Sequence, residues 1–171
     1  MVSHTTWSCF FIALSIIVII LIYFISRDEY KGRFVELQRL DVNLTPNPGF
    51  FKYVWPLFLL IASVGLLIAS INNPDEGIFM RWFFILALIL LIAYLLFGND
   101  TFRWWPLCIG FFLLLVVLLG ETIYHIGVTL GDKTAASLMI FLFLWAIFGL
   151  FITTLTSVRL VTDQELLRDN M

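Results

Sequence analysis

Glu121 and His125 are the two residues whose types and spacing could support chemistry. They stand in the run Gly120-Glu121-Thr122-Ile123-Tyr124-His125. Four positions apart, a carboxylate and an imidazole share one helix face. Such a pair can pass a proton, hold an ion or bind a polar group, and an ionisable side chain inside a membrane span marks a functional site by default. Arg81 and Lys133 belong to the same layer of the chain. The alternative role is structural: an interfacial carboxylate paired with Arg81, Lys133 or His125.

Other chemistry finds little support. The chain has two histidines, His4 and His125. One carboxylate and one imidazole do not complete a zinc site, which takes four ligands, and paired-histidine haem ligation would depend on His4 near the terminus. No metal or cofactor is expected. There is no G-x-S-x-G elbow, no Ser-x-x-Lys pair and no H-E-x-x-H run, so an enzyme is not expected either.

The composition explains why polar groups are so few. Of 171 residues, 61% are hydrophobic and 13% charged, and the mean hydropathy is +1.02. A soluble domain is nearer half apolar and a quarter charged, and a disordered chain is charge-rich. The net charge of -2, without a dense basic block, argues against nucleic acid as a partner. An integral membrane protein remains, with the lipid bilayer as its surroundings.

A hydrocarbon layer of roughly 30 Å takes about 20 apolar residues as helix. Five stretches meet that length: about 7–25, 53–71, 78–97, 104–126 and 135–156. They are continuous apolar runs, unlike the alternating strands of a barrel. Pro56 and Pro106 fall near helix entrances, where a missing N–H costs little. Asn72-Asn73-Pro74-Asp75-Glu76-Gly77, Gly98-Asn99-Asp100 and Gly131-Asp132-Lys133 read as short links, which makes the last four spans antiparallel neighbours. The whole chain, 1–171, forms one membrane domain.

The connection over 26–52 is longer. Ser26-Arg27-Asp28-Glu29 fits a capping box. Tyr30, Phe34, Leu37 and Leu40 then recur at helical spacing, and Glu29 and Arg33 form a favourable pair. Residues 27–41 read as a short amphipathic helix on the membrane surface, which either covers the base of the bundle or docks a partner. Thr45-Pro46-Asn47-Pro48-Gly49 breaks it. In the tail, Thr162-Asp163-Gln164-Glu165 is a second capping-box pattern, expected to start a last turn of helix.

Lys and Arg set the orientation, because the side from which insertion occurs carries their excess. Arg27, Lys31, Arg33, Arg39, Lys52, Arg103, Arg159 and Arg168 fall on one side; Arg81 and Lys133 fall on the other. The N-terminus is therefore expected outside and the C-terminus inside. The glycosylation patterns at Asn43 and Asn99 fall inside, so neither is expected to be used. Cys9 and Cys108 lie near opposite faces, too far apart for a disulfide, whose Cα atoms stay within about 7 Å. Glu121 is 17 residues past Trp104, or about 26 Å along a helix axis, near the outer edge of the hydrocarbon.

The remaining polar residues suit packing. Ser63, Ser70, Thr153, Thr154 and Thr156 can bond carbonyls one turn back. Gly65 with Ala69, and Gly149 with Thr153, form small-xxx-small pairs that let helices approach. Trp7, Tyr53, Trp55, Trp82, Trp104 and Trp105 sit at span ends as an aromatic belt. Trp145 is mid-span and faces either lipid or a cavity. Trp55-Pro56-Leu57 and Trp105-Pro106-Leu107 open two spans 50 residues apart, which is compatible with a duplicated hairpin.

Two segments carry a resemblance. One is the Pro-bearing approach from Pro46 to Phe51-Lys52-Tyr53-Val54-Trp55, similar to an F-x-x-V-W motif. The other is Ala135-Ala136-Ser137-Leu138 with Leu144-Trp145 and Phe148. In these the chain resembles the translocator protein family, also called tryptophan-rich sensory proteins, small five-helix membrane proteins that bind porphyrins, sterols and aromatic ligands. The resemblance implies that Trp55 and Trp145 line a ligand pocket. The chain reads Ile89 and Ile92 where the family has Asn and Trp, and Phe141-Leu142 where it has Pro-Tyr.

The fold expected is all-α: five transmembrane helices and one amphipathic surface helix. The function expected is that of a non-catalytic subunit or accessory scaffold of a larger membrane assembly, with protein partners or a homo-oligomer around it. The alternatives are a translocator-like binder of hydrophobic ligands, and an ion or proton pathway through Glu121 and His125.

Overall fold

The computed structural model describes the backbone of residues 48–97 and 105–169, with the isolated positions Ala13 and Ile17; side chains are described mainly within 54–92 and 109–158. The expected first span at 7–25 and the amphipathic helix at 27–41 lie outside the described residues. What is described is helical, and no strand occurs among these residues. Helix α1 runs Pro48–Asn72, α2 Gly77–Phe97, α3 Trp105–Tyr124 and α4 Lys133–Asp169. One π turn, His125–Thr129, extends α3. Two apolar stretches, Ile109–Thr129 and Lys133–Leu155, are long enough to cross a membrane.

Three boundaries differ from the sequence expectation. Helix α1 begins at Pro48, ahead of the expected start near 53, so Pro48 and Gly49 belong to its first turn. A proline with its φ preset and no N–H to satisfy suits a first turn. Helix α4 begins at Lys133 and continues unbroken to Asp169, through the Thr162-Asp163-Gln164-Glu165 pattern. No proline or glycine follows Gly149 in that stretch, so nothing stops propagation and no new N-cap forms. At 37 residues, α4 is about 55 Å long, well beyond its apolar part.

The four helices close a ring. Each packs on its neighbour in sequence, and α4 also packs on α1, in the most extensive contact of the bundle; α1 and α2 touch least. The reason lies in a spacing of three and four residues on every helix. Leu59, Ala62, Leu66 and Ala69 are buried on α1, Met80, Phe84, Ala87 and Leu91 on α2, Phe112, Leu115 and Leu119 on α3, and Ala135, Met139, Leu142 and Ala146 on α4. That spacing gives each helix one continuous apolar face toward the bundle interior.

Small residues bring α1 and α4 closest. A Cβ on Gly65 would lie 2.7 Å from the Ala135 carbonyl oxygen and 3.0 Å from the Leu138 Cβ. Farther along α4, a Cβ on Gly149 would lie 2.6 Å from the Phe112 ring. Helix backbones can approach this far only where a side chain is missing. The hydroxyls of Ser63, Ser70 and Thr154 donate to the carbonyls of Leu59, Leu66 and Leu150, each at 2.8 Å, as their place inside apolar helices requires. All four helices line a central void of about 10 Å³, between Leu59, Phe84, Leu88, Leu115 and Leu142. A space of that size is at the lower limit for one water.

A polar layer at the link end of the bundle

The polar side chains collect at the bundle end that carries the α1–α2 and α3–α4 links. The first link is held by the Asn73 N–H and side-chain amide, both donating to the Ala69 carbonyl at 2.9 and 3.3 Å. At the other link, the wider π turn lets the Leu130 N–H reach the His125 carbonyl and the Asp132 N–H reach that of Ile126, both at 3.0 Å. Gly131 then takes a φ of 73°, which glycine adopts without the steric cost of a Cβ.

Asp132 joins the two links. One carboxylate oxygen accepts the Ala135 N–H at 3.0 Å, capping α4. The other accepts the side-chain amide of Asn72 at 2.8 Å. A single carboxylate thus starts α4 and ties it to the last residue of α1. Sequence reasoning placed Asp132 only in a turn, because its second partner is 60 positions away.

His125 sits at the flank of α3 that faces α2. Its Nε2 lies 3.6 Å from a Glu76 carboxylate oxygen, and its ring stands 5.6 Å from that of Phe79, edge to face. The imidazole is about a quarter exposed and Glu76 half. When protonated, His125 forms an ion pair with Glu76. Glu121 does not join it: it is exposed and makes no ion pair among the described residues. Each residue turns about 100°, so positions four apart are offset by about 40°. That offset turns His125 toward α2 while Glu121 looks outward.

The other sequence-derived candidates are scattered. Arg81 is on α2 and only 5% exposed, with a guanidinium nitrogen near Gly77. Lys133 is exposed in the first turn of α4. Trp145 is partly buried in the α1–α4 seam. Its ring meets Phe58 of α1 edge-on at 5.8 Å and Phe148 at 5.4 Å. Trp55 belongs to α1, one turn before Phe58; its side chain is outside the described set. No group of three or more potential metal-ligating side chains occurs among the described residues.

No protein-family model, curated protein or solved structure matches the chain.

Proposed function

We propose that the protein is a multi-pass membrane protein acting as a non-catalytic subunit or accessory scaffold of a larger membrane assembly. One observation carries this reading: large apolar side chains point outward on all four helices. Leu60 and Val64 on α1, Trp82 and Ile89 on α2, Leu114 and Val117 on α3, and Leu144 and Phe151 on α4 are all exposed. Water does not tolerate so continuous an apolar surface; lipid or other membrane helices do. That outward apolar surface is the one a membrane assembly would use.

In this reading the chain crosses five times, with 7–25 as the first span, the N-terminus outside and the C-terminus inside. The end carrying Asn72, His125 and Asp132 is the outer one. The polar end of α4, through Asp169, extends as helix into the inner aqueous phase. Extraction of a tagged chain in mild detergent tests the proposal. Co-migration with other membrane proteins is expected, and a lone monomer would overturn it.

The contact of Trp145 with Phe58, a turn away from Trp55, favours a second reading. Trp145 packs on Phe58 across the α1–α4 seam, and Trp55 stands three positions before Phe58 on the same helix, so a ligand in this reading would lie along that seam. Porphyrin quenching of tryptophan fluorescence, lost in Trp145→Ala, would support it; absence of quenching would remove it.

A further inference from the structure

Glu121 is out of place on its helix. Gly110, Leu114, Val117 and Glu121 follow one another at four-, three- and four-residue steps along the outward face of α3, and all are exposed. The buried face, with Leu115 and Leu119, is opposite. Acidic residues within membrane spans ordinarily turn inward, toward a partner or a water-filled cavity. Glu121 turns toward the surroundings of the bundle.

Gly110 is anomalous in the same direction. Gly65 and Gly149 are explained by atoms that a Cβ would strike, whereas a Cβ on Gly110 would meet no atom of the described residues within 4 Å. Glycine inside a helix costs about 1 kcal/mol relative to alanine. Packing within this bundle gives no reason for that cost, but close approach by a further helix does. The two anomalies lie on one line, about 16 Å apart along the axis.

Resting on the membrane-subunit reading, we propose that this face of α3 docks a membrane-spanning helix of another protein. That helix crosses closely at Gly110 and places a Lys or Arg opposite Glu121, near the outer edge of the hydrocarbon. Charge complementarity selects this occupant. A second copy related by a two-fold axis along the membrane normal would bring its own Glu121 to the same patch at the same depth, adding like charge where a cation is wanted. The apolar stretch 7–25 contains no Lys or Arg. Among the other charged groups of this layer, His125 faces Glu76, Arg81 is buried in α2, and Lys133 is exposed in the first turn of α4 with no ion pair to Glu121 among the described residues.

The test uses the full chain in its native membrane, with a photo-crosslinking residue at Val117 and a control at Ile89 on the outward face of α2. The expected product at Val117 is a membrane segment of another protein bearing Lys or Arg. Glu121→Gln should lower its yield about tenfold, and exchange of charges between Glu121→Lys and a Glu in the partner should restore it. Gly110→Phe, whose Cβ would meet no described atom within 4 Å, should also lower the yield without lowering the thermal unfolding midpoint. Crosslinks to lipid alone, to a second copy or to residues 7–25, or yields indifferent to both variants, would overturn the inference. If other membrane proteins still co-purify in that case, the subunit reading stands without this interface; a lone monomer would remove both.

Discussion

Asn72 and Asp132 are joined by a hydrogen bond of 2.8 Å that closes the ring of helices at one end. The same carboxylate caps α4 through the Ala135 N–H. Asp132→Ala removes both contacts. Loss of a cap costs about 0.5–2 kcal/mol, and the exposed tie to Asn72 adds at the lower end of about 0.5–1.5 kcal/mol. Asn72→Ala removes only the tie. Thermal unfolding in detergent should therefore rank Asp132→Ala below Asn72→Ala, and both below the unaltered chain.

The glycines should separate cleanly. Gly65→Ala drives a methyl against a backbone carbonyl, which cannot swing aside, and Gly149→Ala drives one against the buried Phe112 ring. Each should destabilise by about 1–3 kcal/mol, as overpacking does, with the backbone clash the more costly. Gly110→Ala meets no atom of the described residues within 4 Å and should stabilise the isolated chain by up to about 1 kcal/mol through helix propensity. Unfolding midpoints for the three variants measure this directly.

His125 and Glu76 should be coupled, weakly. Their separation is 3.6 Å and Glu76 is half exposed, so a double-mutant cycle with His125→Ala and Glu76→Gln should give about 0.2–1 kcal/mol. The pair is partly exposed, so the coupling should fade with salt. A cycle pairing His125→Ala with Glu121→Gln should give less, because Glu121 faces away.

Orientation can be read without disturbing the bundle. Reporter domains fused at the two termini should fall on opposite sides, the C-terminal one on the side of insertion. Asn43 and Asn99 should carry no glycan in a glycosylating host. Two termini on the same side would contradict five crossings.

Much of the architecture was legible because apolar content and turn residues are local signals. The short links at 73–76 and 130–132, the close-approach glycines Gly65 and Gly149, and the back-bonded Ser63 and Ser70 follow from residue type alone. The candidate site was less so. Glu121 and His125 read as one pair, since spacing gives a shared face but not which flank of that face meets another helix.

By itself, the sequence determined that the described chain would be helical and apolar, and where most of its helices would turn. Hydrogen bonds four residues apart and the scarcity of charge settle both locally. Only the tertiary structure decided that α1 and α4 form the main contact, that Trp145 lies in their seam, and that His125 faces Glu76 while Glu121 faces out. Those outcomes depend on helix rotation and on residues 49 to 87 positions apart meeting in space. An all-apolar helix has no polar face to announce its rotation; interlocking of Gly65 with Ala135 and of Gly149 with Phe112 sets it.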